Sequence, residues 1–145
     1  MPDAGSFERF TAAARAAVEG EARAHADDRW WILEPLLVTE RTEVRVLPLA
    51  HADTHALRVL REPALAELPR ALGARRAAVA LHADLEIEGE PVPAIVLVVL
   101  GGLAQAYEYA RVERTALGTP RLGPWEPSDV IEADVAAALA RALAR

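Results

Sequence analysis

The chain contains no cysteine. Disulfides, thiolate zinc sites and thiol nucleophiles are thereby excluded, and cysteine usage is silent on the redox compartment. Lysine is absent as well. All 16 basic residues are Arg, a pattern that GC-rich coding explains as readily as a demand for bidentate pairing. Serine occurs only as Ser6 and Ser128, and neither a G-x-S-x-G elbow, a G-x-G-x-x-G turn nor a P-loop is present. Serine hydrolysis and phosphate cradling therefore have no motif to stand on. Positive charge is outweighed by 22 acidic residues, giving a net charge of -6, the opposite of a duplex-binding footprint. The longest apolar run, Val92 to Ala104, contains Pro93 and Gly101-Gly102 and falls short of the roughly 18 residues that a spanning helix needs. No basic region followed by an apolar stretch opens the chain, so a cytoplasmic location is expected.

Aromatic residues supply only 5% of the chain, while apolar residues supply 52%, so the core is expected to be built of Ala, Leu and Val. A length of 145 residues suits one domain over 1–145, large enough to bury roughly 68–70% of its unfolded surface.

Hydrophobic spacing then orders the chain. Ser6 suits an N-cap, and Phe7, Phe10, Thr11, Ala14, Ala17 and Val18 recur on one helical face, predicting a helix from about Phe7 to Ala26 that Asp27-Asp28 stops. Trp30 to Glu40 reads as a strand, placed at an edge or a bulge by Pro35. Glu43 to Val46 alternates as a strand with one wet face, joined to it through Glu40-Arg41-Thr42. Asp53 to Leu72 has helical spacing interrupted by Pro63 and Pro69, hence a kinked helix ending at Gly73.

Period two then takes over. From Arg75 to Glu88, Val79, Leu81, Ala83, Leu85 and Ile87 point one way while His82, Asp84, Glu86 and Glu88 point the other. Val92 to Leu100 is apolar in both alternate sets, so a central strand covered at least partly on both faces is expected there. Gly101-Gly102 turns into a further strand, Ala104 to Arg114. Thr115 to Pro127, with its prolines and glycines, reads as an irregular crossing. Ser128 or Asp129 caps a final helix striped by Ile131, Val135, Leu139 and Leu143.

The expected fold is therefore α+β: a single two-layer domain with a five-stranded antiparallel sheet and helices, in the order α-β-β-α-β-β-β-α. In element order alone this resembles roadblock and related profilin-like domains, and the resemblance implies dimerisation and an adaptor role. Acidic secretion chaperones are similar in size and charge, but usually carry three strands before the middle helix rather than two.

Candidate functional residues fall into three groups. His51 and His55 lie four apart and His82 and Asp84 two apart, spacings from which a metal site could be assembled. The plainer reading is two histidines at a helix start and one solvated strand face. Trp30, Trp31, Tyr107, Tyr109 and Trp125 are candidates for an interaction surface, though strand aromatics are more often core. Arg58 and Arg61 belong to an arginine-rich segment that could meet an acidic partner. No cofactor is implied, and no nucleic acid or membrane is expected as a partner.

The leading expectation is a small acidic, non-catalytic interaction module, an adaptor, regulator or chaperone. The unhidden apolar faces supply a motive to homodimerise. Its rivals are an enzyme or sensor holding a small ligand or metal near His51, His55 and the acidic strand, and an immunity or antitoxin protein whose acidic face masks a basic toxin.

Overall fold

A computed structural model describes residues 4–29, 31–33, 35–48 and 73–128. The first element is a helix, α1 (Ala4–Ala24). It buries Phe10, Ala14, Val18 and Ala22 at steps of four, with Thr11 three before Ala14, spacings that put them on one face. The helix begins before Ser6, which is therefore not its cap. The Ser6 hydroxyl instead accepts from Arg9 at 2.9 Å, and Thr11 donates back to the Phe7 carbonyl at 2.9 Å. The turn at 25–27 ends the helix beside Asp27-Asp28, where a stop was expected.

Six strands follow: β1 (Leu36–Glu40), β2 (Val44–Pro48), β3 (Arg76–Ile87), β4 (Glu90–Gly101), β5 (Ala104–Arg114) and β6 (Pro120–Pro127). They form one antiparallel sheet in the order β2-β1-β3-β4-β5-β6, curled into a half-barrel. The long β3–β4 hairpin pairs Arg76 with Gly101 at one end and Ile87 with Glu90 at the other. Its Glu88-Gly89 turn has positive φ at both residues, 54° and 81°, the type I′ geometry that matches strand twist. Gly101 meets α1 closely: a Cβ there would come within 3.1 Å of the Phe7 ring and 3.0 Å of Arg76. The bare backbone lets the helix seat on the sheet.

The predicted five-stranded, three-helix order does not hold. The sheet has six strands, and α1 is the one helix among the described residues. The sixth strand is the stretch expected to be irregular. Pro120, Pro124 and Pro127 lack donors, yet β6 is an edge and can spare the N–H groups on its open side. A register shift between Ala110 and Val112 absorbs the local mismatch. With this extra strand, the parallel drawn to profilin-like and roadblock domains is overturned. β1 also differs from expectation, because it lies inside the sheet between β2 and β3. Pro35 precedes the strand and so costs the ladder nothing. The helix expected over Asp53 to Leu72 and the one expected after Ser128 lie outside the described residues. No described helix is long and apolar enough to cross a membrane.

Apolar side chains gather in two clusters, one on each face of the sheet. The first unites Phe10, Ala14 and Val18 of α1 with Leu36, Ile95, Leu97 and their neighbours. The second, formed by strand residues among those described, contains Leu37, Val79, Val96 and Val98. These second-face side chains are at most 1% exposed within one chain. Two copies are therefore not required to hide them, and the argument for homodimerisation from unhidden strand surface falls away.

Two consequences are measurable by chemical denaturation. Phe10→Ala should lower stability by about 3–5 kcal/mol, because the fully buried ring leaves a cavity at the helix–sheet junction. Glu88→Asn should raise it by about 0.5–1 kcal/mol, since Asn accepts the left-handed backbone more readily than Glu.

Candidate functional site

The described ionisable side chains with the most distinctive surroundings lie on the sheet face that carries α1. The β3–β4, β4–β5 and β5–β6 registers align His82, Ile95, Ala110 and Trp125 in one row across four strands. His82 is half-buried, and its Nδ1 is shut off from solvent without a hydrogen-bond partner. Burial pushes its pKa down; Asp84, two residues along the same face, opposes this, and Arg114 adds to it. Arg114 also donates to the Trp31 carbonyl at 3.3 Å. Trp125 Nε1 is likewise buried and unpartnered. Ile95 and Ala110, between the two, are fully buried, so the middle of the row is packed protein. His82 and Trp125 do not face a shared opening there.

A neutral imidazole next to a carboxylate is competent as a base, but chemistry needs more than one group. The described residues hold no set of three His, Asp or Glu side chains able to bind a metal ion. His82 and Asp84 thus supply two donors without a described third. His51 and His55 lie outside the described residues. The other conspicuous ionisable groups are engaged with each other. Arg15 of α1 grips Glu108 of β5 through both oxygens, with Nε donating to Oε1 at 2.6 Å. The hydrogen bond to Glu108 raises the Arg15 pKa against a smaller opposing effect of burial. Arg76 and Glu40 form a second half-buried pair across the β1–β3 ladder.

The aromatic candidates do not form one surface. Trp31 is only 4% exposed, so it belongs to the core rather than to an interaction face, and its ring stacks on His25 at 6.3 Å. Trp125 is half-buried against the same cluster. Tyr107 and Tyr109 pack on the opposite face, where the Tyr107 hydroxyl donates to Gln105 at 3.0 Å. Trp30, Arg58 and Arg61 lie outside the described residues.

A different set of side chains emerges at the surface. Among the described residues, Ile32, Val44, Val46, Leu103 and Leu117 are the large apolar side chains left in water, from 39% exposure at Val44 to full exposure at Leu103. Leu103 tips the β4–β5 turn, at the end of the sheet where the β1–β2 turn also lies. Leu117 sits at the other end, in the β5–β6 connection, where Arg29 packs over Gly118. Val44 and Val46 are on β2, which pairs with β1 alone among the described strands. Sequence alternation marked that stretch as a strand, but carries no sign that it lies at an edge. Comparison with family models, curated proteins and solved structures returned no match.

The depressed His82 pKa sets a direction for acid stability. In the unfolded chain the imidazole titrates near 6.5, and in the folded protein it titrates lower. The contribution is complete above about pH 6.5 and is lost as pH falls through the unfolded and then the folded value. Denaturant midpoints measured from pH 8 to 4.5 should decline less steeply in His82→Gln than in the parent chain.

Proposed function

We propose that the chain is a non-catalytic protein-binding module. The observation that carries this reading is the placement of its exposed apolar side chains on an edge strand and at connections, at Ile32, Val44, Val46, Leu103 and Leu117, rather than around a set of reactive groups. The paired Arg15–Glu108 and Arg76–Glu40 groups support the same reading, since their charges stabilise the fold and are not free for chemistry. The proposed partner is a different protein, because one chain already shelters both faces of its central strands.

Photo-crosslinking residues placed singly at positions 32, 46, 103 and 117 of the full chain test this in cells of the source organism. At least one position should give a discrete adduct with another protein, and the adduct should persist in His82→Gln. Absence of an adduct at every position, or loss of every adduct when His82 alone is changed, would contradict the reading.

A further inference from the structure

The two edges of the sheet are built differently. β6 carries Pro120, Pro124 and Pro127 and a register shift against β5, features that spoil a template for further pairing. β2 has only Pro48, at its last position, and pairs in unbroken register with β1 from Leu36–Pro48 to Glu40–Val44. Its outer edge is bordered by no described strand, and Val44, Arg45 and Val46 are all exposed. Of the two edges, β2 is the one that can accept another strand.

Its two faces specify different chemistry. Val46 is registered with Val38, on the face where α1 packs, so an added strand would extend an apolar row there; Val44, on the same face, is registered with Glu40 and lies in line with the Glu40–Arg76 pair. Arg45 is registered with Thr39 and points to the other face. Its guanidinium is 58% exposed and bonded to Glu43 at 3.0 Å. Arg41 begins the same hairpin turn, and the Arg75 amide donates to the Glu40 carbonyl at 2.8 Å, so Arg41 and Arg75 gather beside the same hairpin end. With Arg76, this end carries four Arg against Glu40 and Glu43, a local excess of positive charge on an acidic protein.

We propose that β2 docks an extended peptide segment of a partner protein, apolar at the positions beside Val44 and Val46 and acidic at the position beside Arg45. Strand addition suits the site: main-chain hydrogen bonds supply affinity and alternate side chains supply selectivity. A second copy fits it less well. A strand of 5 residues is too short to bury the roughly 1,200 Å² of a stable protein interface. The symmetric register centred on Val46, the middle of the strand, would set each Arg45 against Leu47 and leave it without an acidic side chain opposite. This inference rests on the protein-binding reading and names its surface.

The probe is a fluorescein-labelled peptide, Gly-Val-Glu-Val-Glu-Val-Gly, titrated into the full chain and read by anisotropy. Saturable binding is expected, weakened at least about tenfold when Lys replaces its Glu residues or when alternate backbone nitrogens are methylated. Arg45→Glu should reverse the preference toward the Lys peptide, a gain that an unfolded variant could not produce. Val46→Pro should abolish binding, and with the bound parent peptide amide exchange should slow at alternate β2 residues, those whose N–H faces the outer edge. No saturable binding, indifference to backbone methylation or to the charge at position 45, or concentration-dependent sedimentation removed by Val46→Pro would overturn the proposal, the last in favour of self-pairing. A crosslinked adduct at Leu103 or Leu117 with no peptide binding would preserve the module reading and reject this edge.

Discussion

From Ala94 to Leu100 every residue of β4 is buried, on both sides of the sheet. A strand in that position cannot have a wet face, so its neighbours must extend the dry area far enough to protect it. Two-sided burial of a Val or Leu is worth about 1.5–3 kcal/mol per side chain before ordering costs. The architecture follows from that demand. β3 and β5 flank β4 and bury Val79 and Ala110; α1 lays Phe10, Ala14 and Val18 over one face. The second face is sheltered as completely within the chain, which is why greasy central strands do not here imply a dimer.

Electrostatics refine this arrangement without creating it. Arg15 and Glu108 tie the middle of α1 to β5 in a fork of two hydrogen bonds, a geometry more restrictive than a point contact. Arg76 and Glu40 tie β3 to β1 through a single hydrogen-bonded contact. His82 is the exception: a half-buried imidazole whose pKa is lowered by desolvation, with Asp84 opposing that shift and Arg114 adding to it. Its register row runs through the fully buried Ile95 and Ala110 to Trp125.

Much of the candidate surface was hidden from sequence reasoning for a definite reason. Aromaticity suggested Trp31, yet its apolar area is buried in the first cluster rather than left in water. Val44 and Val46 looked like half of an ordinary alternating strand. Their significance depends on having no described strand beyond them, and edge position is a property of long-range pairing order that no local pattern encodes. The His51–His55 spacing lies outside the described residues, so the metal reading receives no geometric support from it.

Local chemistry was enough to read out α1, β3, β4, β5 and the turns between the long strands. Period 3.6, period two and residues suited to tight turns are set by neighbours a few positions apart. Chain order was not enough to place β1 inside the sheet, or to recognise a strand in the proline-rich stretch from Pro120 to Pro127. Pro35 and Pro120 remove a donor wherever they stand; whether that loss breaks a ladder or falls harmlessly outside it depends on which distant strand comes alongside. Partner choice of that kind is made by burial of the whole sheet, and it also decides which edge stays open.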